Sequence, residues 1–222
     1  MPVRAVVLPA TPLLVPGAAG VAPVLGATRD LVAGALAELL DDLLGDRAPG
    51  VAAGRDPDLL VLAPAGRDGA RGPGSTRTGG LRTGRLRPSL AGAGIDDRWL
   101  PAVGRSPALR RTGLRAQVPA SVALLCLAAS LEARGAARML EPVEVVEVPA
   151  RPAPADRQVV LERMARADAV VAAAGEDDAV ATVLEDAARR AGWVRDVRSA
   201  AQGHEHLPDC YDVTVWSTGD RG

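Results

Sequence analysis

The 222-residue sequence predicts an α/β fold: a single domain over residues 1–222, built as three layers α/β/α around a largely parallel central sheet. Three observations predict it. Apolar runs of strand length alternate with longer stretches of helical periodicity. The short runs are continuously apolar rather than alternating, as in sheets covered on both faces. Apolar residues make up 48% of the chain but aromatic residues only 2%, so the core must come from Val, Leu and Ala.

Val3 to Leu8 (VRAVVL), stopped by Pro9, reads as a buried strand. Val21 to Leu44 reads as a long helix with Pro23 in its first turn. Its apolar face is Leu25, Thr28, Leu31, Val32, Ala35, Leu36, Leu39, Leu40 and Leu43, and Gly45 is a fitting stop. Asp58 to Ala63 (DLLVLA) is a second buried strand, followed by Pro64. Ala120 to Arg134 is a mostly apolar helix with Gly135 just past it. Val143 to Val148 (VEVVEV) is a strand, Asp156 to Arg166 a helix, and Asp168 to Ala174 (DAVVAAA) a strand. Asp177 to Ala191 is a helix closed by Gly192, and Asp212 to Trp216 (DVTVW) is a last strand, placed at a sheet edge.

Residues 66–94 interrupt this order. The segment is rich in Gly and Arg and lacks apolar periodicity, so it reads as a solvated loop or as a basic lid over an anionic ligand. Arg67 to Arg115 holds 11 Arg against Asp68, Asp96 and Asp97, a net of +8 in a chain whose total is −1. All 26 basic residues are Arg, Asn is absent and Ile95 is the only Ile, a composition typical of a GC-rich genome. The Arg excess is therefore weak support for anion recognition.

Composition also excludes function classes. The near-neutral total argues against a globally electrostatic nucleic-acid or membrane binder. Three Trp, one Tyr and no Phe leave no stacking platform for bases. Cys126 and Cys210 cannot make a disulfide framework and suit a reducing compartment. Met1 to Gly26 is apolar, but Pro9, Pro12 and Pro16 interrupt the continuous helix that a secretory signal needs. The expectation is a cytoplasmic chain with no membrane span.

Ligands of open parallel sheets bind outside the carboxyl ends of the strands. Three strand ends here run into turns, at Leu8–Pro12, Leu62–Asp68 and Ala174–Asp178. They supply Thr11, Arg67, Asp68, Glu176, Asp177 and Asp178 as candidate ligand-binding groups. Each also has a structural reading: Asp177 or Asp178 caps the next helix, and Arg67 pairs with Asp68 on the surface.

The opening VVLPATPLLVPGAAG and the later DLLVLAPAGRDG resemble the class III extradiol ring-cleaving dioxygenase B-subunit-like proteins, a superfamily that includes the Memo-like proteins. The order of further elements agrees: a mid-chain Ala/Leu helix, the VEVVEV strand, and an apolar strand ending in Gly and an acid. The resemblance implies a non-haem Fe(II) held by two His and a carboxylate, the His coming from a Pro-His-Pro-Pro-Leu-Leu-like turn and a Pro-His strand end. This chain has Ala10 and Ala65 at those two positions. Where the family often has a Gly-x-x-Ser-His-like turn, it reads Gly175-Glu176-Asp177-Asp178. A methyl group cannot ligate iron. The resemblance thus implies the fold, no Fe(II) cofactor and no ring cleavage.

His204 and His206 are the chain's two histidines, in Gly203-His204-Glu205-His206-Leu207-Pro208-Asp209-Cys210. In an extended segment they share a face, with Asp209 or Cys210 adding a ligand, which makes a weak metal site; a solvated loop is the plainer reading. There is no Gly-x-Ser-x-Gly elbow, phosphate loop or His-Glu-x-x-His. Cys126 sits in an apolar helix pattern and should be buried and inert, and Trp193 and Trp216 read as core or edge fillers. The leading expectation is a non-catalytic relative of the dioxygenases. Its crevice takes a small anionic ligand or a protein partner, and homo-oligomerisation is open. The alternatives are an enzyme using Glu176, Asp177 or His204 and His206, and polyanion or RNA binding by residues 67–115.

Overall fold

Runs such as LLVLAP and AVVAAA have no polar side to offer water, so they form strands only where helices cover both faces. The computed structural model describes residues 1–19, 24–45, 57–65, 80–101, 106–110, 113–174 and 179–219, and the backbone alone of 76–78. The order is β1 (Val3–Pro9), α1 (Gly26–Gly45), β2 (Leu59–Pro64), β3 (Thr76–Thr78), β4 (Leu81–Gly84), α2 (Val118–Ala133), β5 (Glu144–Val148), α3 (Pro154–Arg166), β6 (Ala169–Ala174), α4 (Ala179–Ala191), β7 (Trp193–Ala201) and β8 (Cys210–Thr218). The strands form one sheet, ordered β3-β4-β5-β2-β6-β1-β8-β7. Its centre, β5-β2-β6-β1, is parallel, and the pairs on both flanks are antiparallel. The sequence therefore foretold the class, and the mixed flanks are the addition.

Two cores result, one on each face. Val6, Leu8, Val61, Ala63 and Val145 pack under α1 and α2, while Leu60, Leu62, Val146 and Val170 pack under α3 and α4. That alternation along each strand fixes the layers. Helix α2 is buried nearly all round, including Ala120, Val122, Leu124, Leu125, Leu127 and Leu131. It has no polar face because Leu86, Leu90, Leu100 and Leu109 cover its outer side.

Three expectations are corrected. Helix α1 starts at Gly26 rather than Val21, because Leu25 has φ +59° and cannot join a right-handed helix. The part of 66–94 that is described is no solvated lid. β4 pairs with β5, Leu81, Leu86 and Leu90 are buried, and the Gly80 N–H donates to Asp156 Oδ2 at 2.9 Å. Isolated leucines carry this docking, so no periodicity marks it. β8 is not the edge strand, because β7 lies outside it. β7 was invisible as an apolar run because most of its residues are exposed. His204 and His206 lie in a loop, the plainer of their two readings, and not in the extended segment that the metal reading needs. They sit in the β7–β8 turn, where the Leu207 N–H donates to His204 O at 3.0 Å.

Candidate functional site

Register sets the four central strand tips level: Pro9 opposes Ala174, Leu62 opposes Ala172, and Pro64 opposes Val148. Ala10 and Ala65 follow those tips on strands separated by β6, about 10 Å apart by strand spacing. Ala10 packs against the α1/α2 core, and the Ala65 N–H donates to Val148 O at 2.7 Å. Neither side chain offers a donor atom, so these tips do not fit the iron that the resemblance implies. Thr11 caps the turn Pro12–Leu14, its Oγ1 accepting the Leu13 N–H at 3.4 Å. Arg67, Asp68, Glu176, Asp177 and Asp178 lie outside the described residues.

Beside the β1 and β6 tips, on the α4 face of the sheet, opens a cavity of about 570 Å³. This is within the range of small-molecule sites. Its floor is the face shared by β1 and β8, where alternation places Val7 and Pro9 beside Asp212, Thr214 and Trp216. Ala181, Leu184 and Glu185 of α4 form one wall, and Thr11, Ala10 and Ala174 close the strand-tip end. Helices α3 and α4 pack mainly over the central strands, and the cavity opens between α4 and the β1–β8–β7 side of the sheet.

Arg195 and Trp216 are the notable pair in it. They oppose each other across β7 and β8, and the guanidinium lies over the indole, 5.9 Å from the ring centroid. Arg195 is exposed and has no ion pair among the described residues. Trp216 is only 8% exposed, yet its Nε1–H has no hydrogen-bond partner among the described residues. A buried donor without an acceptor costs about 1–3 kcal/mol. Glu185 and Asp212 add two carboxylates, the latter accepting from Ser199 Oγ at 2.5 Å.

Sequence reasoning missed this side of the crevice. The alternation Cys210-x-Asp212-x-Thr214-x-Trp216 was the available signal, since it puts one polar-lined face opposite Val213 and Val215. Reading Trp216 as a filler gave its burial but not its unpaired donor.

Three arginines of the Arg-rich segment are spent on structure among the described residues. Arg82 pairs with Glu147 at 2.7 Å, Arg87 with Asp97 at 3.7 Å, and Arg98 with Asp96 at 3.3 Å while lying over Trp99. Glu147 is wholly buried and also accepts the Gln117 N–H at 2.5 Å. Burial pushes its carboxyl above the ordinary 4.5, outweighing the Gln117 N–H and Arg82, which both pull it down. Burial likewise pushes the Cys126 thiol up to about 12. His206 meets Glu205 at 3.3 Å in the exposed turn, and no group of three metal-ligating side chains occurs among the described residues. No helix of the described residues is long and apolar enough to cross a membrane.

The chain matches no protein-family model, no curated protein and no solved structure.

Proposed function

We propose that this is a small-molecule-binding domain, a non-catalytic relative of the extradiol dioxygenase B-like proteins, whose crevice takes a small monoanion with an apolar body. The observation that carries it is one cavity lined both by Arg195, an exposed cation with no ion pair among the described residues, and by Trp216, whose buried Nε1–H has no hydrogen-bond partner among them. Arg195 offers the charge a carboxylate needs, and a carboxylate seated beside it that reaches the Trp216 Nε1–H would give that donor its missing acceptor. Val7, Pro9 and Leu184 receive the apolar part. Glu185 and Asp212 share that cavity and repel a second negative charge, so the site prefers a monocarboxylate to phosphate. Ala10 and Ala65 support a binding role in place of the family's iron chemistry.

Calorimetric titration with benzoate and with inorganic phosphate tests the reading. Benzoate binding that weakens roughly tenfold in Arg195→Gln, with phosphate inert, is the expected result; tenfold is about 1.4 kcal/mol. Phosphate binding without benzoate binding, or benzoate affinity unaltered by Arg195→Gln, contradicts it.

A further inference from the structure

Strand β7 ends the sheet, and its nine residues Trp193–Ala201 pair only with β8 among the described residues. Such an edge carries a row of unused N–H and C=O groups on every second residue, a template for another strand. Charges on an edge normally ward partners off, and Arg195, Asp196 and Arg198 would be read that way alone. Their order says otherwise.

We propose that β7 pairs antiparallel with β7 of a second copy of this chain about a two-fold axis at Val197, joining two sheets into one. Hydrogen-bonded partners must both face outward, so a self-pairing strand has only registers centred on a residue. Centring on Arg195, Asp196 or Arg198 stacks like charges directly against each other. Centring on Val197 opposes Asp196 to Arg198 of the partner subunit, twice by symmetry, and Arg195 to Ser199 of the partner subunit. It is also the register that uses all nine residues of the strand.

The apolar residues agree with this register. Val194 and Val197 are 50% and 44% exposed, two of the large hydrophobic side chains that the fold leaves in water. The two-fold covers Val197 with its own copy and sets Val194 against Ala200 of the partner subunit. Arg198 is held by a bidentate pair with Glu38 of α1, at 2.6 and 2.8 Å. Its third donor, Nε, reaches Asp196 Oδ2 at 2.8 Å. Asp196 and Arg198 are therefore fixed side by side on one face of β7 before a partner arrives. The pairing uses backbone edge and residues 194–200, and does not rest on the ligand reading.

Sedimentation velocity over a concentration series into the high micromolar range is the first test. The mass should rise from 22.7 kDa toward twice that value, about 45 kDa. Oxidative cross-linking then fixes the register. In a Cys210→Ser background, Val197→Cys sets two thiols about 5 Å apart at Cβ, whereas two Val194→Cys sites lie about 20 Å apart along the ladder. The first should cross-link in high yield and the second hardly at all. Val197→Arg and, separately, Asp196→Arg should give monomers with the parent's circular dichroism, whose melting temperature, unlike the parent's, does not rise with concentration. A chain monomeric throughout the series, or equal cross-linking at 194 and 197, overturns the proposal.

Discussion

Replacing Arg82 by Ala should cost about 3–5 kcal/mol at pH 8, because it strips the partner from a carboxylate that has nowhere else to go. The Arg82 side chain is 16% exposed and Glu147 not at all. Arg82 also donates to Arg115 O, so one side chain ties β4, β5 and the segment preceding α2 together. After its loss, Glu147 keeps only the Gln117 N–H among these groups. The cost must depend on pH. Burial already raises the Glu147 pKa, and losing Arg82 raises it further, each unit adding about 1.4 kcal/mol to the cost of holding the charge. Protonation relieves that cost, so Arg82→Ala should be milder at pH 5 than at pH 8. Urea unfolding at the two pH values measures this, and the melting temperature at pH 8 should fall by roughly 10 °C. Glu147→Gln keeps an acceptor for Gln117 without the charge, so Arg82→Ala in that background should cost less than in the parent. A pH-independent loss, or one below about 1 kcal/mol, refutes the reasoning.

Further predictions concern single sites. Because the folded pKa of Glu147 is raised, its stabilising contribution is complete below pH 4.5 and lost as pH rises through the folded value; stability curves of the parent and Glu147→Gln should therefore diverge upward from that pH, with the parent falling faster. Gly17 has φ +87° and an added Cβ would stand 2.6 Å from Trp99 O, whereas Gly135, at φ +66°, faces open space. Gly17→Ala should cost at least about 2 kcal/mol and Gly135→Ala about 1 kcal/mol in chemical unfolding. A thiol reagent should titrate Cys210 alone in the native chain and Cys126 only after denaturation, since one is exposed and the other buried. Leu81→Ala should cost about 2–5 kcal/mol, and a loss below about 1 kcal/mol would mean that β4 is not docked.

Much of the fold was legible because the central strands are pure apolar runs. Val3–Pro9, Leu59–Pro64 and Ala169–Ala174 announce themselves, as do the stops at Gly135 and Gly192, both at positive φ. What escaped the sequence was antiparallel and half exposed. β4 hides behind single leucines, and β7 mixes charged residues with valines, most of them exposed, so it shows no apolar run. The site was half legible for the same reason. Strand-end reasoning found Thr11, Ala10 and Ala174 at the crevice, but Arg195 and Trp216 reach it only through the β7–β8 hairpin. Their convergence is a fact of pairing register, with no local motif to mark it.

The Trp216 indole N–H is the group by which a ligand in the cavity would be seen most directly. Nitrogen-15 spectra of the chain should show three indole signals, from Trp99, Trp193 and Trp216, with that of Trp216 assigned by its loss in Trp216→Phe. Titration with benzoate should move that one signal downfield as the buried donor gains an acceptor, leave the other two in place, and do so weakly in Arg195→Gln. A Trp216 signal that stays fixed while benzoate saturates the protein, or moves equally in Arg195→Gln, would contradict the site described above.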